Sequence, residues 1–527
     1  MELSQLIKAL SDPACYPYAP EQTEVRQTHI SVVFLAGSFV YKVKKPVDLG
    51  FLDFSTLDKR HHFCVEEVRL NRRLAPTVYL GVVPIIKSGN GLCFEGQGEA
   101  IEWAVKMKRL PDSATLYESI RRNDVSISQV KSLARRIASF HKQANRSAAI
   151  SAFGQFDAVA RNFHDVYQRS TKQIGKIVSR PVFEKLRILT EAALAAKRPL
   201  IEMRAKQDMI CDTHGDLHLD HVYYFPEASP LDDFVIIDCI EFNERFRYAD
   251  PVADMAFPVM DMIYLGRRDL ADVFAETYLD ASGDKGGRAL LPLYTAYRAV
   301  VRGSVEGLKV SEKEITEPDQ AATSVIAKGH WLLALGELEE PGRKPVLVLI
   351  GGLPGTGKSS LAHELALKAG MEIVRTDQIR KELAGLPVND PAPASARPWL
   401  YSAEWTKKVY TECLQVAEKL LFEGKRILVD ATFREDSQRS AFLKAAQRWG
   451  IPSIMFLCRA DSETVRARLE HRRHDSSDAE WSTYQTIAKQ WEEPSSFSNS
   501  AIRQIGTVGD LNQTVTKALD VLRELGL

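Results

Sequence analysis

No apolar run in the 527-residue sequence reaches the roughly 20 residues that a membrane-spanning helix needs. The opening residues, MELSQLIKALSDP, lack the apolar heart of a secretory leader. A cytoplasmic protein that engages no membrane is the expectation. Paired cysteines are missing too: the seven are scattered, odd in number and free of C-x-x-C spacing. That argues against a disulfide framework or a cysteine zinc site and fits free thiols in a reducing compartment. There is no excess charge of one sign, because 69 Lys+Arg balance 69 Asp+Glu. Nothing global therefore argues for a nucleic-acid coat, although a local basic patch stays open. What is present is a globular composition, 45% hydrophobic and 26% charged. Its length exceeds one ordinary core and asks for two or three domains.

The most informative stretch is Gly352-Leu-Pro-Gly355-Thr356-Gly357-Lys358-Ser359-Ser360, behind the apolar run Val346–Ile350 and ahead of a helical pattern at Leu361, Leu365 and Leu367. Strand, Gly-rich loop and helix are the context that a G-x-x-x-x-G-K-[ST] match requires. Glycines let several backbone N–H groups converge on one phosphate, and the helix N-terminus adds partial positive charge. Lys358 is expected to reach the β/γ-phosphates and the Ser359 hydroxyl to hold Mg²⁺. The ligand expected is ATP, with GTP as an open alternative.

Upstream, Thr28–Phe34 and Ser38–Lys44 read as strands around Leu35-Ala36-Gly37, with Lys42 and Lys44 on one face by the period of two. Asp58–Leu74 has helix composition, with Glu66 and Glu67 among its apolar positions. A strand lysine followed by a helix glutamate is the pair that orients ATP in protein-kinase-like folds. Lys42 and Glu67 are the expected pair, with Lys44 and Glu66 as open alternatives. Strands over 78–86 and 100–107 follow, then helical patterns over 126–148 and 153–206.

A second chemical stretch runs from Ile210 through His214-Gly215-Asp216-Leu-His218-Leu-Asp-His221 and, after Phe234–Asp238, to Glu241. It resembles the aminoglycoside phosphotransferase-like branch of the protein-kinase-like fold, whose loop is H-G-D with an Asn five residues after the Asp. The resemblance implies that Asp216 accepts or orients the proton of a substrate hydroxyl, His214 braces the loop, and Asp238 holds Mg²⁺ on the phosphates. His221 stands at the position of that Asn, a metal ligand, and imidazole suits Mg²⁺ less well than an amide oxygen. A water-bridged metal, another metal and a weak site all stay open. His218 reads as structural. Glu241, Asp250 and Asp254 read as solvated or helix-capping acids rather than as ligands of a cationic substrate.

Glu337–Pro345, charged and broken by two prolines and a glycine, reads as a linker. From Val346 onward, alternating strands and helices predict a P-loop α/β domain. Glu372–Asp377 reads as its second strand, ending in an acid, with Arg380 in the helix that follows. Asp430 closes a third strand, and Ser453–Cys458 is a fourth. Ligands of such sheets bind beyond the carboxyl ends of the strands, which places Asp377 and Arg380 near the P-loop. Asp461–His474 sets Arg468 and Arg472 four apart on one helix face, the pattern of a mobile lid over transferring phosphates. Residues 346–495 resemble small P-loop kinases of the gluconate kinase, chloramphenicol phosphotransferase and polynucleotide 5′-kinase type. That resemblance implies Asp377 as general base, Arg380 as an acceptor or phosphate contact, and Arg468 and Arg472 as the lid. Asp430 would serve Mg²⁺ through water or help hold the acceptor. The run Asp475–Ala479 fits the same group, and 496–527 read as a final strand and helix.

The expected architecture is thus a multidomain chain of α/β and α+β type. An aminoglycoside phosphotransferase-like bilobal domain over 1–338 has its small lobe to about residue 110, and a linker at 339–345 leads to a P-loop kinase domain over 346–527. In order and extent this is similar to bacterial proteins that fuse an aminoglycoside phosphotransferase-like part to an ATP-binding kinase part. The resemblance implies a bifunctional ATP-dependent phosphotransferase acting on hydroxyl acceptors, small molecules or a nucleic-acid 5′-OH. Two rivals stand beside it: a single P-loop kinase with a substrate-recognition domain, and an ATP-binding switch without a phosphorylated product. Oligomeric state is left open.

Overall fold

Two hairpins in succession build the first sheet. The computed structural model describes residues 2–89, 91–228, 233–310, 316–388, 390–471 and 480–527. In it, β1 (Thr23–Gln27) turns through Thr28 and Ser31 into β2 (Ser31–Ala36), and β2 turns at Gly37 into β3 (Phe39–Lys44). The expected start at Thr28 is displaced because the Thr28 hydroxyl accepts from the Ser31 N–H, closing a turn there. β4 (Tyr79–Ser88), β5 (Gly91–Phe94) and β6 (Ala100–Lys108) complete an antiparallel sheet of order β1-β2-β3-β6-β4-β5. The edge strands β1 and β5 were not expected: they are short and, apart from Leu92 and Phe94, largely exposed, so period-two patterning is weak in them. One sheet face buries Val32, Phe34, Tyr41 and Val43. On the other lies the helix Leu57–Asn71, N-capped by Thr56, with Cys64 and Val68 against Val78, Tyr79, Val105 and Met107. That seating turns Glu67 inward and leaves Val65 exposed.

The helical part that follows includes Ile127–Gln143, started by a Ser126/Gln129 capping box, and Arg268–Ser282, which packs on it. The helical pattern over 153–206 is not continuous. It breaks between Phe156–Ser170 and Arg180–Lys206, where Gly175 at φ +87° turns the chain and Pro181 restarts it. Two short ribbons frame the chemistry. One pairs β7 (Cys211–Asp212) with β10 (Tyr248–Ala249), the other β8 (Val222–Tyr224) with β9 (Phe234–Ile236).

In the C-terminal part, β11 (Leu347–Gly351), β12 (Glu372–Arg375), β13 (Ile427–Asp430), β14 (Ser453–Arg459) and β15 (Ile502–Gly506) form an all-parallel sheet of order β12-β13-β11-β14-β15. Every residue of β11 is buried, as a central parallel strand covered on both faces requires. Leu361 and Leu365 of the helix Lys358–Ala369, with Val515, Ala518 and Leu522 of the helix Leu511–Glu524, fill one side.

By contacts the chain forms two units. One comprises Met1–Arg161, Lys197–Met262 and Arg267–Tyr294; the other comprises Asn162–Ala196, Ile263–Gly266 and Thr295–Leu527. In the second unit Trp331 is buried beside Tyr167 and Phe183, and Tyr264 stacks on His330 at 4.2 Å. Within the expected linker, Glu339 is buried and paired with Lys185, and Arg426 donates to the Lys344 carbonyl at 3.2 Å. No helix among the described residues is long and apolar enough to cross a membrane.

Candidate active sites

The alternation of β3 sends Lys42 and Lys44 to the face covered by the helix Leu57–Asn71, and both reach Glu67. Lys42 Nζ lies 2.9 Å from Glu67 Oε1, and Lys44 Nζ lies 2.7 Å from Oε2. Lys42 also meets Asp238 Oδ1 at 2.7 Å, and Lys44 pairs with Glu241. Glu66, by contrast, points outward to Arg69 at 2.7 Å. Desolvation would lower the Lys42 ammonium, yet Asp238 and then Glu67 hold it well above the ordinary lysine value. Burial would raise the Glu67 carboxyl, and the two lysines keep it below its usual range. Glu241, the third acid against two lysines, is pushed up by burial. It is neither solvated nor a cap: the expectation is corrected by its pairing with Lys44, which is itself fully buried.

Asp238 sits just beyond β9 with φ +63°, a left-handed conformation unusual for a non-glycine residue. Neighbouring hydrogen bonds fix it. The Asp238 N–H donates to the Tyr79 hydroxyl at 3.2 Å, and the Cys239 N–H donates to Asn71 Oδ1 at 2.8 Å. Asn71 in turn donates to the Glu67 carbonyl at 2.9 Å, tying the glutamate helix to the Asp238 turn. Arg73 donates to the Asp212 and Thr213 carbonyls at 2.9 and 3.0 Å. Asn71, Arg73 and Tyr79 are positioning residues the sequence did not single out. Only the four-residue step from Glu67 to Asn71 hints that they share a helix face.

The His214–Asp216 loop rests on Asp254, fully buried in the helix Pro251–Tyr264. Its carboxylate accepts from the N–H groups of His214 and Gly215 at 3.0 and 2.8 Å and from His141 Nε2 at 3.0 Å. Asp250 is likewise buried, bidentate with Arg204 at 2.6 and 2.8 Å, while also capping the Val252 N–H. For Asp254 the reading as a solvated acid fails because the loop's buried donors require an acceptor. Gly215 has φ +86°, and a Cβ there would lie 2.9 Å from the Phe246 carbonyl oxygen, so the loop closes only with glycine. His214 donates from Nε2 to the Ile237 carbonyl at 2.9 Å, and its Nδ1 accepts from the Asp216 N–H at 3.3 Å. Burial pushes this imidazole down from 6.5 to about 4, so it stays neutral and keeps that tautomer.

Asp216 is partly exposed at the mouth of this loop. His221 directs Nδ1 to the Asp216 carbonyl at 3.0 Å and Nε2 toward Asp238 Oδ2 at 3.7 Å. His218, expected as structural, lies with its Nε2 3.6 Å from Asp216 Oδ2. Mg²⁺ prefers a near-octahedral shell of hard oxygens. Two imidazoles beside Asp216 do not fit that preference.

In the P-loop the backbone cradle is built by left-handed glycines. Gly355 has φ +78°, and a Cβ on it would come 2.8 Å from Val465 Cγ1. Thr356 Oγ1 donates to the Leu353 carbonyl at 2.7 Å, bracing the loop from within. Lys358 Nζ folds onto the same carbonyl at 3.1 Å. Gly352 and Gly357 also have positive φ, +140° and +83°, and Ser359 and Ser360 lie in the first turn of the helix Lys358–Ala369. Asp430 ends β13 next to β11, with Arg375 Nε 3.4 Å from its Oδ2. Ser359 and Asp430 offer only hard oxygens, which fits Mg²⁺.

Asp377 is not at a strand end. β12 stops at Arg375, and Asp377 lies in the first turn of the helix Thr376–Leu383, where a carboxylate meets the positive helix end. Desolvation raises its pKa, opposed by Arg380, while the negative charge of Asp430 adds to the rise. Arg380 is buried, donates to the Leu400 carbonyl at 2.8 Å and stacks over Tyr401 at 4.8 Å. Arg468 donates to the Thr507 carbonyl at 2.6 Å and reaches the Gly355 carbonyl at 3.5 Å. Arg472 and the run 475–479 lie outside the described residues.

Comparison with known proteins follows the same division. The AAA_33 family model, described as an AAA domain, matches residues 347–494. The uncharacterized protein Rv2004c of Mycobacterium tuberculosis is 32% identical over 456 residues, 86% of this chain and 87% of the relative. The chain belongs to the same family as Rv2004c. Among solved structures, the amicoumacin kinase hAmiN in complex with AMP-PNP, Ca²⁺ and Ami covers 63% of this chain and 93% of its own, at 12% identity and a TM-score of 0.39. A gluconokinase from Sinorhizobium meliloti covers 34% of this chain and 94% of its own, at 19% identity and a TM-score of 0.25. At these identities and scores neither likeness transfers a residue role. The chain joins a part built on an antiparallel sheet and helices to a P-loop α/β part.

Proposed function

We propose that the chain is a bifunctional ATP-dependent phosphotransferase, with catalytic domains at 1–338 and 346–527 and a connection at 339–345. The observation that carries this reading is the P-loop lysine, Lys358, in a glycine cradle beside two strand-end or helix-end acids, Asp430 and Asp377. ATP binds there through the loop N–H groups, and Lys358 swings from the Leu353 carbonyl to the β/γ-phosphates. Asp377 takes the proton of the acceptor hydroxyl, whose oxygen bonds to the γ-phosphorus as the bond to the β-phosphate oxygen breaks and ADP leaves. Ser359, and Asp430 through water, would hold Mg²⁺, which would supply charge neutralisation on the phosphates. Arg380 orients the acceptor or a phosphate, and Arg468 steadies the loop. In the first domain Lys42, set by Glu67, meets the phosphates of a second ATP, and Asp216 orients the acceptor hydroxyl. The acceptors are small molecules or a nucleic-acid 5′-hydroxyl, in a cytoplasmic setting. Acceptor-dependent ADP release by the full chain tests the reading: Lys358→Ala should abolish the P-loop share, and release unchanged in that variant would refute it. A second reading, in which only the P-loop domain transfers phosphate and the first domain recognises substrate, is favoured by the imidazole donors around Asp216.

A further inference from the structure

The misfit to Mg²⁺ has a constructive side. One nitrogen from His218, one from His221 and one carboxylate oxygen of Asp216 all lie within 4.8 Å of one another. His218 Nε2 is 3.6 Å from Asp216 Oδ2, and His221 Nδ1 is 3.8 Å from it. Nδ1 is a ligand in the tautomer that carries its proton on Nε2, facing Asp238 Oδ2 at 3.7 Å, and metal binding there replaces the contact of Nδ1 with the Asp216 carbonyl. Donors bound at 2.0–2.2 Å to a four-coordinate ion stand roughly 3.3–3.6 Å apart. Both nitrogen–oxygen separations lie within a few tenths of an ångström of that spacing, and the two nitrogens are within 4.8 Å of each other, so rotation of the rings brings the three donors onto one ion.

The backbone holds the donors in place. Leu219–His221 form a 3₁₀ turn, in which side chains three apart eclipse, so His218 and His221 fall on one side with ring centroids 3.8 Å apart. The Leu219 N–H is anchored on Asp261 Oδ2 at 2.7 Å, which fixes that turn to the helix Pro251–Tyr264. His218 is buried while Asp216 is partly exposed, so an ion here has a protein side and a side open to water or ligand. Two imidazoles and a carboxylate are the donors of borderline first-row divalent ions.

We propose that Asp216, His218 and His221 form a binding site for a first-row transition-metal dication of the Mn²⁺–Zn²⁺ series. Occupancy engages Asp216 Oδ2, the same carboxylate assigned above to the acceptor hydroxyl, so the ion and the hydroxyl compete for it. The site is argued from donor atoms and does not rest on the transfer reading of this pocket.

The test uses the full chain, stripped with chelator and dialysed against Zn²⁺ or Mn²⁺ in millimolar Mg²⁺. Bound metal is counted by atomic emission and Mn²⁺ is read by electron paramagnetic resonance. The expected result is one retained equivalent that weakens at least about tenfold in His218→Gln and in His221→Asn. The exposed His164→Gln should leave it unchanged. Displacement of both metals by Mg²⁺, or equal retention in His221→Asn, would overturn the proposal. Should His218→Gln fail to fold, the more exposed His221→Asn decides. Retained metal without transfer to any acceptor would remove the transfer role and keep the site. Mg²⁺-supported transfer without a retained ion would do the reverse.

Discussion

Lys44 shows how much one buried side chain can determine. It pairs with Glu67 and, 197 residues beyond itself in the sequence, with Glu241, and it frees Lys42 to face Asp238. Lys44→Met would leave Glu241 buried without its ion-pair partner and Glu67 with Lys42 alone, a change that costs about 3–5 kcal/mol. Urea unfolding of the full chain should register that loss, and adding Glu241→Gln should restore part of it; an unchanged midpoint would contradict the ion-pair account. The period of two put both lysines on one face in advance. Nothing in composition or spacing announces Glu241, because its partnership comes from a turn that only the fold brings near.

Asp377 offers a second residue-scale prediction. Its folded pKa is raised, so the native state holds the proton more tightly than the unfolded chain. That contributes stability below the ordinary carboxylate pKa, and the contribution is lost as pH rises through the folded value. Asp377→Asn should therefore raise the melting temperature more at pH 7 than at pH 4 while abolishing P-loop transfer. Loss of melting temperature at pH 7 would argue that the carboxylate is structural. The helix position of Asp377 was not legible because Ile373-Val374 carries a strand signal up to the residue at which the helix begins. The acid then serves the helix start, not a strand end.

At the scale of elements, the His214–Asp216 loop is held from below by Asp254, which also receives His141. Asp254→Asn would turn an amide N–H against backbone donors and leave at least one of them unpaired, at about 1–3 kcal/mol. Hydrogen exchange at Gly215 should quicken, and exchange at the wild-type rate would count against the brace. The loop also carries a pH signature. His214 is depressed from 6.5 to about 4, so its contribution to stability is complete above 6.5 and is lost as pH falls through about 4. Much of this element was readable: the H-G-D order, the neighbouring strands and the glycine all stand in the sequence. The brace was not, since Asp254 lies in an apolar helix whose neighbours give no sign of what its carboxylate faces. The same limit hid the break at 171–179, where a turn interrupts composition that is helical on both sides.

At the scale of the whole molecule, the P-loop sheet and the antiparallel sheet of the first part were visible as patterns, the first as a continuous apolar run in β11 and the second as alternation in strands such as β3. The membership of the units was not. Asn162–Ala196 and Thr295–Leu338 group with the P-loop part, and apolar helix faces do not say which core they join. The central claim remains chemical: one polypeptide carries two transfer sites. The direct measurement is transfer of label from γ-labelled ATP by the full chain, by Lys358→Ala and by Asp216→Ala. The acceptors are pooled sugars, aminoglycosides, nucleosides and 5′-hydroxyl oligonucleotides. The account predicts that each variant loses a different labelled product and keeps the other. Loss of every product in Lys358→Ala, with none lost in Asp216→Ala, would contradict it and leave a single P-loop kinase.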